Sequence, residues 1–378
     1  MNDQKNLILA IALSVVIMVT FQYFFEPPPP PPQETQQTQG EQAAPGQQAP
    51  TDQQQQTPSA SATPSPSTGA APAMPPGGAP ATAVAPAGGA RTVIEGPRIT
   101  IDTPRLEGSI ALRGAAIDDV TLRDYHVTTD PSSDRIRIFA PQGNVRAYYA
   151  TEGWIPADPN VPVPGQDTVW STSEKVLTHE KPVTLTWENG AGLIFERTIA
   201  VDENYMFTIT QNVRNTGEQA VTLTPYSLIN RTGTPETTGF YILHEGPLGV
   251  FDGTLVEEDY DDVAEEKTIT RTSTGGWIGI TDKYWLAALV PESNARVNAR
   301  FLHWRTGNQD KYQADFAGEA QTLSPGGSVQ NKTYLFSGAK QVRLLDGYAD
   351  KLGIANFDLA IDFGWFYFLT KPFFYLLD

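Results

Sequence analysis

Cysteine is absent from all 378 residues. That absence excludes disulfides, thiolate metal sites, a thiol-linked lipid and a cysteine nucleophile together. It suits an oxidising compartment without identifying one. Histidine is scarce: His126, His179, His244 and His303 stand singly, and no HxH or HExxH spacing occurs, which argues against zinc. No phosphate loop, dinucleotide fingerprint or GxSxG is present, so neither a small-molecule cofactor nor an enzyme activity is expected. Positive charge is also short, with 26 Lys and Arg against 43 Asp and Glu, a net charge of −17. Such a chain is a poor partner for nucleic acid.

Residues 26–90 lack Lys, Arg and aromatics altogether and consist almost entirely of Pro, Gln, Ala, Gly, Ser and Thr. They cannot bury enough apolar surface to offset the entropy of ordering, and are expected to form a disordered linker. Pro27 to Pro32 open it as a stiff polyproline II spacer. A flexible chain of this length has a root-mean-square span of roughly 45 Å. Residues 1–90 carry one Lys against five acids, net −4, which leaves 25 basic and 38 acidic residues, net −13, from position 91 onward.

Leu7 to Phe25, "LILAIALSVVIMVTFQYFF", holds nineteen residues without a charge. As a helix it is about 28 Å long, close to the hydrocarbon thickness of a bilayer. A cleaved signal peptide has a shorter apolar core ending in small residues. This segment ends instead in Phe21, Tyr23, Phe24 and Phe25, which suit a membrane interface and make a poor cleavage site. An uncleaved transmembrane anchor over 7–25 is therefore expected. Lys5 and the amino group precede it, and no Lys or Arg follows until Arg91, so residues 1–6 should stay cytoplasmic and the bulk of the chain should lie outside. In a Gram-negative source that is the periplasm.

From 91 to 337 the pattern has period two. "RITIDT" (98–103), "VTLTWE" (183–188), "LIFERTI" (193–199), "YMFTITQNV" (205–213), "AVTLTPYSL" (220–228), "YWLAALV" (284–290), "RVNARFLHW" (296–304) and "VQNKTYLF" (329–336) are β-branched and aromatic runs bounded by Gly, Asn, Asp and Pro. They predict antiparallel sheets. Fifteen or more strands in one domain of this length favour two large packed sheets, a mainly β sandwich, over a small closed barrel. "SGAKQVRLLDGYADKLG" (337–353) predicts one helix packed on the sandwich through Val342, Leu345, Ala349 and Leu352, with Gly353 as its stop.

The remaining constellations carry little chemistry. His244 and Glu245 in "HEGP" read as loop neighbours, not as an acid–base pair. Glu188, Glu196 and Asp202 fall in strand regions without a spacing that aligns them for sugar chemistry. "EEDYDDVAEE" (257–266) has seven acids in ten residues but no calcium-loop pattern, and is expected to be a solvated loop. Residues 357–378 hold nine aromatics in twenty-two positions. Asp358, Asp362, Lys371 and Pro372 make this end a poor bilayer span. Trp365, Phe366, Phe368, Phe373 and Phe374 suit an amphipathic segment lying at the headgroups, taken over 354–378.

The order of these features resembles the YidC membrane-protein insertases of Gram-negative bacteria. "NDQKNLILAIALSVVI" is similar to their opening anchor, and "YDDVAEEKTITRTSTGGWIGITDKYWLAALVP" (260–291) is similar to the Gly-Gly-Trp stretch of their periplasmic domain. "YLFSGAKQVRLLDGYADKLGIANFDLAIDFGWFYFLTKPFFYLL" (334–377) is similar to their closing helix and the entry to their interfacial helix. The resemblance implies a periplasmic β-supersandwich at 91–337, a packing helix at 338–353 and an inner-membrane location. It also implies insertion of nascent membrane proteins, alone or with the Sec translocon, with the lipid bilayer as a further partner. The family's insertion groove and its arginine belong to helices that do not fall within these 378 residues, so no residue here is assigned to them. A membrane-anchored carbohydrate-binding or sugar-modifying sandwich is the competing reading, motivated by Trp154, Trp170 and Trp187.

Overall fold

In a computed structural model of the chain, residues 96–236 and 243–362 are described. Nineteen strands among them form two sheets. The larger runs in the order β13 (Thr268–Thr274), β16 (Arg296–Thr306), β17 (Gln309–Ala317), β10 (Val221–Thr232), β5 (Tyr148–Pro156), β3 (Ile117–His126), β2 (Leu106–Ala111), β1 (Arg98–Asp102) and β6 (Val176–Leu177). Short strands β4 (Arg135–Phe139) and β18 (Gln321–Leu323) pair with β3 and β10. The smaller runs β12 (Thr254–Glu257), β11 (Gly246–Phe251), β14 (Trp277–Thr281), β15 (Trp285–Pro291), β19 (Ser328–Ala339), β9 (Met206–Asn215), β8 (Leu193–Val201) and β7 (Val183–Glu188). Ladder pairings are antiparallel apart from the short parallel match of β1 with β6.

Alternation explains why these segments are strands. In β8, Leu193, Phe195, Arg197, Ile199 and Val201 are buried while the residues between them are half-exposed. The register Val183↔Ile199 to Glu188↔Ile194 then puts Val183 and Leu185 of β7 on the same inner face. Ile117, Ala150 and Ile229 from the larger sheet join Phe195, Phe207 and Leu289 from the smaller in one continuous core. The body is a two-sheet β sandwich, as the period-two pattern predicts.

Two helices accompany the sheets: α1 (Tyr260–Glu266) and α2 (Val342–Leu352). Helix α1 corrects the solvated-loop reading of 257–266. Tyr260 and Val263, one turn apart, are buried, while Asp261, Asp262, Glu265 and Glu266 face solvent. Helix α2 begins later than the sequence suggests, because β19 continues to Ala339. Gly353 ends it in the left-handed conformation, φ 68°, with its N–H on the Ala349 carbonyl side of the last turn.

Candidate functional site: the seam of the last helix and turn

The residues expected at a membrane interface, Phe21, Tyr23, Phe24, Phe25, Trp365, Phe366, Phe368, Phe373 and Phe374, lie outside the described residues. The described residues that lead towards them form a seam along α2 and a 3-10 turn at Phe357–Ala360. Helix α2 buries Val342, Leu345 and Tyr348, with Ala349 and Leu352 half-buried at the rim. Tyr348 was not on the face read from the sequence. Its polar end explains why it belongs there: the hydroxyl donates to Asp202 Oδ2 at 2.5 Å and accepts the Tyr205 N–H at 3.4 Å. Asp202 Oδ1 takes the N–H groups of Asn204 (2.9 Å) and Met206 (3.1 Å), so one carboxylate closes the turn between β8 and β9 and receives the helix. Burial, then the Asp202 hydrogen bond and charge, push the Tyr348 hydroxyl far above its ordinary value.

Upstream of α2, Gln341 ties the smaller sheet to the larger. Its Nε2 donates to the Tyr125 hydroxyl at 2.7 Å, and its Oε1 accepts from Arg105 at 3.2 Å. Lys340 turns inward, and its Nζ donates to Thr281 Oγ1 at 2.9 Å. Burial lowers its ammonium to about 8, and the charges of Asp282, Glu245, Asp362 and Glu257 oppose that shift.

Downstream, Asn356 adopts φ 51° and donates its side-chain amide to the Gly253 carbonyl at 2.8 Å. Phe357 is fully buried, edge-on to Trp277 at 5.5 Å and to Phe336 at 5.6 Å. Ile354 and Ala360 are buried as well. The stretch from Ile354 to Ala360, grouped by sequence with the interfacial segment, therefore packs on the sandwich, with Phe357 seated against Trp277 of β14 and Phe336 of β19. Trp277 follows Gly275 and Gly276, whose φ angles of 66° and 79° L-residues avoid. A Cβ on either would run into the carbonyl oxygen of Ser293 or Val250. The Gly-Gly-Trp stretch is thus the turn that aims Trp277 at Phe357.

Elsewhere the candidate chemistry disperses. His244 and Glu245 are loop neighbours as expected: His244 Nε2 lies 3.1 Å from the Pro247 carbonyl, and Glu245 accepts the Lys283 N–H. His303 meets Asp310 at 2.9 Å, buried beside Tyr312. Glu196 accepts from Asn212 on the neighbouring strand at 2.9 Å. No group of three metal-ligating side chains forms among the described residues. Trp154 and Trp170 are each 3% exposed and Trp187 is half-buried. The first two are core residues and offer sugars no stacking platform, which removes the main motive of the competing reading.

Trp170 has a different partner. Arg197 of β8 lies 2% exposed between the sheets, its guanidinium 5.0 Å from the Trp170 ring centre. It donates to the carbonyls of Ala115 (3.0 Å) and Glu152, and comes within 3.9 Å of the Glu152 carboxylate. Burial pushes Glu152 up and Arg197 down, and their mutual attraction offsets part of each shift. No spacing in the sequence relates these positions, 45 residues apart. Of the two charges in the alternating "LIFERTI" run, Arg197 falls on the face of Phe195 and Ile199, and that placement was the available signal.

Fold and seam define a large two-sheet β-sandwich module with a helix and a 3-10 turn packed on it. Residues 98–376 match the family model of the YidC periplasmic domain, and the chain belongs to the YidC family. Membrane protein insertase YidC of Methylobacterium sp. (strain 4-46) is 44% identical over 395 residues, covering 100% of this chain and 62% of that protein. Its counterpart in Rhizobium etli (strain CIAT 652) is 47% identical over 306 residues, covering 80% and 50%. The chain spans about three-fifths of the length of the first of these relatives. Among solved structures, a galactose mutarotase-like protein from Lactobacillus casei ATCC 334 aligns at TM-score 0.42 and 13% identity, covering 64% of this chain and 99% of that one.

Proposed function

We propose that this chain supplies the anchor and the periplasmic domain of a membrane-protein insertase in a bacterial inner membrane. Residues 7–25 cross the bilayer with the amino terminus in the cytoplasm, 26–90 give the domain reach, and the sandwich, of supersandwich type, stands in the periplasm. Residues 363–378 lie along the outer headgroups, with the seam joining them to the body. Nascent inner-membrane proteins and components of the Sec translocon are the partners, and the domain binds and positions them. The observation that carries this reading is the match to the YidC periplasmic domain over 98–376, together with 44% identity to a named insertase along the entire chain.

The test is site-specific photocrosslinking from the sandwich surface in membranes carrying ribosome-bound nascent chains. Adducts with a nascent inner-membrane protein and with Sec components, absent when the nascent chain is a cytosolic protein, are expected. Equal yields from both nascent chains contradict the proposal.

A further inference from the structure

Strand β13 ends the larger sheet. Among the described strands it pairs with β16 alone. The ladder is fixed by Gly275 N–H to Ala295 O at 2.9 Å and His303 N–H to Lys267 O at 3.0 Å. Odd-numbered residues therefore bond to β16, and Thr268, Thr270, Thr272 and Thr274 turn their backbone groups to the free side. The Thr274 N–H is taken by Asp252 Oδ1 at 3.0 Å, and the Thr270 carbonyl by the Arg271 guanidinium at 3.1 Å. The N–H groups of Thr268, Thr270 and Thr272 have no backbone partner among the described residues. All four threonines are exposed. Edge strands are ordinarily blunted by Pro, Lys or a bulge. Strand β13, "TITRTST", has no Pro, Lys or break in register, and its single charge, Arg271, is drawn to Glu258 at 3.1 Å.

The surroundings select the occupant. Helix α1 runs into β13 through Lys267 alone and exposes Asp261, Asp262, Glu265 and Glu266. Burial, and then the charges of Glu266 and Asp262, raise Glu258 against the pull of Arg271, so these acids share one field at the start of the strand. The chain's own linker cannot fill the edge well: residues 26–90 bring Glu26, Glu34, Glu41 and Asp52 without a single Lys or Arg, and their prolines lack the N–H that a ladder needs. A second copy brings another net charge of −17.

We propose that the free edge of β13 receives an extended, proline-free, basic segment of a partner polypeptide as an added strand. The N–H groups of Thr268, Thr270 and Thr272 supply the main-chain bonds, and the α1 acids select Lys or Arg at the end of the segment that lies beside them. This assignment stands apart from the insertase reading.

The test uses the full chain in detergent micelles and fluorescence anisotropy of a labelled peptide of alternating Thr and Val ending in two Lys. Two control peptides end in two Glu or carry an N-methyl group on every residue, which removes the N–H groups of both edges. The Lys peptide is expected to bind at least tenfold more tightly than either control. Thr270→Pro, which removes an N–H outside the ladder, should weaken it at least tenfold while leaving the melting temperature near wild type. Equal binding of the N-methylated peptide overturns the proposal, and this arm needs no variant. Equal binding by a folded Thr270→Pro protein also overturns it. Dimerisation of the wild-type chain that Thr270→Pro abolishes would assign the edge to a second copy instead.

Discussion

Tyr348 of α2 donates its hydroxyl hydrogen to Asp202, 2.5 Å away and 146 positions earlier in the chain. The same carboxylate closes the turn between β8 and β9, so the last helix and the inner turn of the smaller sheet share one acceptor. Tyr348→Phe keeps the ring contacts but leaves the buried Tyr205 N–H without its acceptor. A loss of about 1–3 kcal/mol is expected, read as a lower urea midpoint at unchanged slope.

Phe357 is the apolar half of the same seam. Phe357→Ala opens a cavity against Trp277 and Phe336, with an expected cost of about 3–5 kcal/mol. In urea unfolding followed by Trp fluorescence, a loss below about 1 kcal/mol would mean that the turn is not seated in the core.

Lys340 makes the seam pH-dependent. Its folded-state value of about 8 lies below the ordinary 10.5, so between those limits the unfolded chain holds the extra proton and this group's contribution to stability rises with pH. Its cost is fully present below about 8. Lys340→Met should gain stability at neutral pH and lose that rise. Melting temperatures of the two proteins across this range should converge as pH increases; parallel curves would contradict the assignment.

Arg197 and Glu152 join the two sheets through a buried ion pair. Breaking one partner of such a pair costs about 3–5 kcal/mol. Arg197→Met should cost more than Glu152→Gln, because it also strands the carbonyls of Ala115 and Glu152. Glu152 is raised in the folded state, so its contribution is present below the ordinary 4.5 and declines as pH rises through the folded value. Glu152→Gln should flatten that decline in chemical-denaturation series, and an unchanged slope would exclude Glu152 as its source.

Much of the sandwich was legible because edge and half-exposed strands alternate: β7, "VTLTWE", coincides with its predicted span. Strands β11 and β14, buried at every position, were not. In β14, "WIGIT", every residue is buried, because the sandwich core covers one face and the seam the other. No period remains to be read there. Helix α1 was hidden by its acids, since only Tyr260 and Val263 carry the apolar signal. The Asp202–Tyr348 and Glu152–Arg197 pairs join positions far apart in the chain, and only the closed fold brings them together.

The orientation of the chain is the most direct test of the account, and the absence of cysteine makes it clean. Single cysteines are introduced at Asn2 and at the exposed Val127, and intact spheroplasts are treated with a membrane-impermeant maleimide. The account predicts labelling of Val127→Cys from outside and of Asn2→Cys only after permeabilisation; labelling of Asn2→Cys from outside, or protection of Val127→Cys until permeabilisation, contradicts it.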